Sequence, residues 1–264
     1  MKPLFTSGLK FLESLSFTRT LFAFDFDGTL SRIVPVPSDA SVPETTSSLL
    51  TELSLSAPVA VLSGRGLADL RSRIGFRAKY LIANHGLEGW DNRALALEKA
   101  ERLSRAWKAA LERRLRAIPE ASGIEIEDKI YSLALHYRRA RGRKVAKTEI
   151  IRALSILSPE PKVIQGKCVV NLLPSGAPHK GAALLELMDR TGIRSGLYVG
   201  DDEEVFSLPD SRILTVRVGH KRSSQAQYFV SRQSDVNRLL RLLVRFHPPI
   251  ARRAAKESLL DARL

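Results

Sequence analysis

Two aspartates separated by one residue close the first strongly apolar run of the chain, where Leu21-Phe22-Ala23-Phe24 leads into Asp25-Phe26-Asp27-Gly28. In a strand, a spacing of two sends both carboxylates to one side of the pleat. Burying two bare carboxylates is costly, so the pair calls for a cation, and a hard divalent ion such as Mg²⁺ suits an all-oxygen ligand set. Two more carboxylates, Asp201 and Asp202, come directly after the apolar run that ends at Gly200. A lone Asp-Gly after a strand is simply a turn former. The second aspartate, Thr29 just downstream and the distant acidic pair favour instead a metal-assisted site drawn from several strand ends.

Such a site needs a sheet to hold it. Residues 21–26, 58–62 and 79–84 are short, strongly apolar runs, as strands buried on both faces read, and the stretch from Thr45 through Ser54 between the first two looks helical. The alternation predicts a parallel sheet with crossover helices, whose ligand sites lie beyond the carboxyl ends of the strands. The same pattern is expected to resume with 168–174, a helix over 180–190, strands at 196–200 and 213–219, and a helix over 236–246 before a tail opened by Pro248-Pro249.

The middle of the chain reads differently. Leu95, Ala96, Ala100, Leu103, Trp107, Leu111, Leu115 and Ile118 recur at helical steps up to Pro119. Short strands are expected at 124–128 and 131–137, the second alternating as a half-solvated antiparallel strand does, with a helix over 145–157. Residues 96–170 carry 17 Lys and Arg against 9 Asp and Glu. This block is expected to be a basic subdomain inserted at 93–172 between the two halves of the sheet domain, 1–92 and 173–264.

Length and composition bound the rest. With 264 residues, 44% hydrophobic and 27% charged, the chain is an ordinary globular one. Its single cysteine, Cys168, can form neither an internal disulfide nor a thiolate zinc site; it reads as a small buried hydrophobe, and a cytoplasmic, reducing setting is expected. No run is long enough to span a membrane, and Lys10, Glu13 and Arg19 interrupt the start, so neither signal peptide nor anchor is expected. The net charge of +14 draws anions. A nucleic-acid-binding module is a possible reading of that charge, but no reading motif and few aromatics accompany it, and no nucleic-acid partner is expected. The sequence sets no oligomeric state.

Asp25-Phe26-Asp27-Gly28-Thr29-Leu30 resembles the signature of haloacid dehalogenase-type phosphatases, and five further segments resemble one branch of them, the trehalose-6-phosphate phosphatases. These are Ser63-Gly64-Arg65; Asn84-His85-Gly86-Leu87-Glu88; Glu127-Asp128-Lys129 with His136-Tyr137-Arg138; the stretch from Gly166 through Lys180-Gly181; and Gly200-Asp201-Asp202. They fall in the family's order. The resemblance implies an α/β fold, with a Rossmann-like parallel-sheet haloacid dehalogenase core and an inserted smaller α+β cap that selects the substrate. It further implies a Mg²⁺-dependent phosphatase acting on a small sugar phosphate, trehalose 6-phosphate first and another glycosyl phosphate, of the sucrose phosphate or mannosylglycerate type, as the alternative.

By resemblance, Asp25 is the nucleophile that forms an aspartyl-phosphate, Asp27 the acid and base, and Ser63 and Lys180 the phosphoryl-binding groups. Mg²⁺ is assigned to the Asp25 carboxylate, the Asp27 carbonyl and Asp201, with Asp202 beside them. Arg65, His85, Glu88, Glu127, Lys129, Lys167 and Asn171 are assigned to the substrate or its loops, and His136 to packing. The sequence departs from the family in three places: Asn171 stands where Glu is usual, Glu203-Glu204-Val205-Phe206 follows Asp202 in place of a longer acidic loop, and Ile130 stands where Gly is common.

Overall fold

The computed structural model describes residues 1–89, 94–116, 118 and 123–248. In chain order its strands are β1 (Lys2–Pro3), β2 (Thr20–Asp25), β3 (Val59–Leu62), β4 (Tyr80–Ile82), β5 (Glu125–Asp128), β6 (Leu133–His136), β7 (Lys162–Gly166), β8 (Val169–Leu173), β9 (Ser195–Gly200), β10 (Ile213–Val218) and β11 (Tyr228–Val230). The helices are α1 (Leu4–Ser7), α2 (Leu9–Ser14), α3 (Glu44–Ser54), α4 (Leu67–Arg73), α5 (Ala94–Arg116), α6 (Arg143–Leu154), α7 (Lys180–Thr191), α8 (Glu203–Phe206) and α9 (Asp235–Phe246). They form two units, one made of Met1–Trp90 and His179–Leu264, the other of Asp91–Pro178.

The first unit is built on β2, which is buried along its whole length. Alternate residues feed two apolar clusters, one on each face of the sheet. Phe22 and Phe24 join Val59, Val61, Leu239 and Leu243 on one face, while Leu21 and Ala23 join Leu62, Leu184, Leu187 and Tyr198 on the other. Full burial of each such side chain is worth roughly 1.5–3 kcal/mol. The sheet has the order β1-β11-β10-β9-β2-β3-β4, and every neighbouring pair is parallel. The chain winds outward from β2 through β3 and β4, then returns to the opposite side of β2 with β9. The switch point therefore lies between β2 and β9, where open parallel sheets bind ligands. Register sets Phe24 beside Val199, so Asp25 and Gly200 end the two strands at the same level.

The second unit is a four-stranded antiparallel sheet in the order β5-β6-β8-β7. Leu133, Leu135, Val170 and Leu172 pack with Trp107 and Leu111 of α5 and Ile150 and Ala153 of α6. The opposite pleat carries the row Glu127, Ala134, Asn171 and Ile164, set by the strand register. The periodic helix of the middle block is α5; Pro119, its expected stop, lies outside the described residues, as does the tail from residue 249.

Three expectations are corrected. Residues 168–174 do not resume the parallel sheet: β8 pairs antiparallel with β6 and β7 in the second unit. A short run such as Val-Val-Asn-Leu-Leu reads the same in either setting, and only its partners decide. The second unit accordingly extends to Pro178, and Lys162 Nζ donates to the Ala177 carbonyl at 3.2 Å, tying that connection to β7. Nor does β6 alternate: Leu133, Ala134 and Leu135 are all buried. Cys168 is only partly buried, standing at φ 62° in the turn between β7 and β8. Among the described residues no helix is long and apolar enough to cross a membrane.

Candidate active site

Asp25 is the last residue of β2 and is 3% exposed. Lys180, the first residue of α7, places its ammonium 2.6 Å from Asp25 Oδ1 and 2.8 Å from Asp202 Oδ2. The Tyr198 hydroxyl also donates to Asp202 Oδ2. Gly200 makes this closeness possible, because a Cβ there would sit 2.9 Å from Asp25 Cβ and collide with the Tyr198 ring. Carboxylate oxygens of Asp25, Asp201 and Asp202 lie within 4.8 Å of one another.

The electrostatics follow from that crowding. Burial, reinforced by Asp202 and Asp201, pushes the Asp25 carboxyl well above the usual range, against the pull of Lys180. Burial and Asp202 raise Asp201 in the same way. Burial opposes the charge of Asp202 too, but the Lys180 ammonium and the hydrogen bonds it and Tyr198 donate hold Asp202 below its ordinary value. Burial likewise works against the Lys180 charge and is outweighed by its two carboxylate partners, so Lys180 stays protonated. Three carboxylates against one ammonium leave two formal negative charges. An all-oxygen cluster with that surplus and two members pushed toward protonation fits a hard divalent cation.

Asp27 lies elsewhere than the pleat argument placed it. The strand ends at Asp25, and Asp27 sits in the following turn with its carboxylate turned to Arg65. Arg65 Nε donates to Asp27 Oδ2 at 2.9 Å and Nη2 to Oδ1 at 2.8 Å, the two-pronged grip that guanidinium and carboxylate geometry favour. Ser63 follows β3, is 1% exposed, and its hydroxyl accepts from the Arg65 amide at 3.1 Å. Asn84 and His85 form a turn at φ 47° and 59°, with the His85 amide bonded to the Ser63 carbonyl at 3.0 Å and the ring packed on Gly64. Glu88 is a structural brace: its Oε2 accepts from Asn84 Nδ2 at 2.7 Å and from the Leu67 amide, at the start of α4, at 3.0 Å.

The remaining predicted residues belong to the second unit. Glu127 accepts or shares a hydrogen bond with His136 Nε2 at 2.7 Å and lies 4.0 Å from Lys129 Nζ. Lys129 Nζ donates to Asn171 Oδ1 at 3.2 Å, and Asn171 Nδ2 donates to the Ile164 carbonyl at 3.3 Å. Lys167 is exposed in the turn between β7 and β8. His136 is thus a member of the polar cluster and not merely a packing residue; its place one row from Glu127 on the same pleat is visible only once the β5–β6 register is known. Sequence reasoning also missed Tyr198, which reads as core, and the pairing of Arg65 with Asp27.

A parallel sheet with carboxylates at the ends of β2 and β9, and an antiparallel α+β unit inserted in its chain, defines the haloacid dehalogenase-type fold with a cap. The sequence model of the trehalose-phosphatase family matches residues 23–234, and the chain belongs to that family. It is 31% identical over 221 residues to a trehalose-phosphate phosphatase of Mycobacterium ulcerans, covering 79% of this chain and 56% of that one. It is 27% identical to trehalose-phosphate phosphatase B of Arabidopsis thaliana, with 83% and 65% covered. The chain thus spans little more than half the length of the mycobacterial relative. Among solved structures, the C-terminal domain of a Candida albicans trehalose-6-phosphate phosphatase superposes with a TM-score of 0.72 at 22% identity, covering 92% of this chain and 98% of that one.

Proposed function

We propose that this protein is a Mg²⁺-dependent phosphatase that hydrolyses trehalose 6-phosphate to trehalose and phosphate. The observation that carries the reading is the buried Asp25 carboxylate, clamped by Lys180 beside Asp201 and Asp202 at the switch point of the sheet. Asp25 attacks phosphorus; the bond from phosphorus to the sugar oxygen breaks, and that oxygen takes a proton from Asp27. Water then attacks the aspartyl-phosphate while Asp27 takes its proton, and the bond between phosphorus and Asp25 breaks to release phosphate. Lys180 and the Ser63 hydroxyl supply a charge and a donor for the phosphoryl oxygens.

Asp25, Asp201 and the Asp27 carbonyl are the groups that would hold Mg²⁺, with Asp202 fixed nearby by Lys180 and Tyr198. The bound ion would neutralise the cluster and keep Asp25 ionised, and so nucleophilic. The first unit is read as the catalytic core and the second, Asp91–Pro178, as the cap that selects the substrate. There Glu127 and Asn171 on one pleat, with Lys129 bonded to Asn171, offer a carboxylate, an amide and an ammonium, a donor and acceptor set suited to sugar hydroxyls. The test is phosphate release from trehalose 6-phosphate, sucrose 6-phosphate, glucose 6-phosphate and p-nitrophenyl phosphate, each with Mg²⁺ and with EDTA. The expected result is preference for trehalose 6-phosphate and loss of all activity in EDTA; full activity after chelation would overturn the metal assignment, and preference for another sugar phosphate the substrate.

A further inference from the structure

The grip of Arg65 on Asp27 is the first link of a longer chain of ion pairs. Arg65 Nη1 donates to Asp69 Oδ2 at 2.9 Å, and Nη2 also reaches the Pro37 carbonyl at 3.0 Å. The other oxygen of Asp69 accepts from Arg73 Nε at 2.7 Å, and Arg73 Nη1 donates in turn to the Ser38 and Ala40 carbonyls, the latter at 3.2 Å. Asp69 and Arg73 stand one turn apart on α4, and Arg65 precedes Asp69 by the same spacing. The Arg65 side chain is 12% exposed and stacks over the Phe26 ring at 5.1 Å, so it is packed as well as paired.

A two-pronged hydrogen bond transmits orientation, because both carboxylate oxygens must follow the plane of the guanidinium. Phe26 fixes one face of that plane, and Asp69 fixes its rotation from the edge opposite Asp27. The plain alternative is that Asp69 serves only as an acidic residue in the first turn of α4, where it favours the helix dipole and contributes stability alone.

We propose that Asp69 is a positioning residue for the phosphatase reaction: through Arg65 it sets the place of the Asp27 carboxylate, which trades a proton with the sugar oxygen and then with water. The inference rests on the role given to Asp27 above. Its signature is a dependence on the leaving group. Trehalose leaves as a strongly basic alkoxide and needs the proton of Asp27, whereas p-nitrophenolate leaves without one.

The experiment compares Asp69→Asn, Arg65→Lys and Asp27→Asn with wild type in the full chain with Mg²⁺, following trehalose 6-phosphate turnover and the first-turnover release of p-nitrophenolate. Small displacements of a reacting group cost up to about 100-fold. Asp69→Asn is expected to lower kcat for trehalose 6-phosphate roughly 10- to 100-fold with KM little changed, while the first-turnover release from p-nitrophenyl phosphate stays near wild type. Arg65→Lys, which keeps the charge and loses the fork, should lower kcat for trehalose 6-phosphate to a similar degree and more than it lowers first-turnover release from p-nitrophenyl phosphate, and adding Asp69→Asn to it should change little more. It also keeps the test decisive should Asp69→Asn fold poorly. Equal loss on both substrates, or no loss on either, overturns the inference. If Asp27→Asn itself shows no split, the role of Asp27 falls first; if Asp27→Asn shows it and neither other variant does, only the positioning falls.

Discussion

In the core unit, the side chains of Lys180, Asp25 and Asp202 are 6%, 4% and 20% exposed, and their ion pairs are almost sealed from water. In the cap unit, the Glu127 and His136 side chains are 43% and 26% exposed, while the Lys129 side chain and the neutral Asn171, bonded to each other, are buried. The two clusters use similar side chains for different ends. A sealed pair is strong and costly to rearrange, which keeps charge fixed where a reaction develops it. The half-open Glu127–His136 pair is screened and cheap to break, so its members can trade one another for a ligand's hydroxyls. Under the proposed function, the first cluster suits chemistry and the second recognition.

The largest effect that would break this division is at Asp25. Asp25→Asn removes the attacking oxygen while nearly keeping the shape, so turnover of every phosphate ester should fall by about 10⁴-fold or more, measured as phosphate release. A variant that kept most of its activity on any substrate would detach the chemistry from this cluster. Next in size is Lys180→Met. It leaves Asp25 and Asp202 buried without their cation, and loss of one partner of a buried pair costs about 3–5 kcal/mol. Urea unfolding in EDTA should show that loss, and Mg²⁺ should recover part of it if the carboxylates are its ligands. An unchanged midpoint would show the pair to be dispensable.

How far these clusters were legible in the sequence differs in the same way. The core cluster was readable because its residues end apolar runs, and strand ends in a parallel sheet converge whatever the loops do. Asp25, Asp201, Asp202 and Lys180 were all found on that ground or by resemblance. Asp27 was misplaced because the pleat was extended past the last paired residue of β2. The cap was harder. Its register joins residues far apart in the chain, Glu127 with Ala134 and Asn171, and nothing local announces which pleat faces the helices. For that reason His136 was read as packing and β8 as part of the parallel sheet. Short strands such as β1 and β11 were missed, since two or three residues carry no periodicity.

Ile130 gives a smaller effect that sharpens the view of the cap. It stands at φ 69° in the turn between β5 and β6, a left-handed position that a β-branched residue adopts only at a cost, while Gly or Asn takes it readily. Its side chain is 53% exposed and contributes little to the core. Ile130→Asn should therefore stabilise the protein by about 1 kcal/mol in urea unfolding, with the reaction on p-nitrophenyl phosphate unchanged. A loss of stability would mean that the exposed side chain is worth more than the strain.

The division of labour is tested most directly by Glu127→Gln, assayed in parallel on trehalose 6-phosphate and p-nitrophenyl phosphate. The change keeps the size, removes the charge that meets His136 and Lys129, and turns one acceptor oxygen into a donor. A hydrogen bond to a charged group is worth about 1.5–3 kcal/mol, so kcat/KM for trehalose 6-phosphate should fall roughly 10- to 100-fold, mostly through KM, while p-nitrophenyl phosphate is hydrolysed as by wild type. Equal losses on the two substrates would contradict the account, because Glu127 would then be supporting the fold or the chemistry and not the recognition of a sugar.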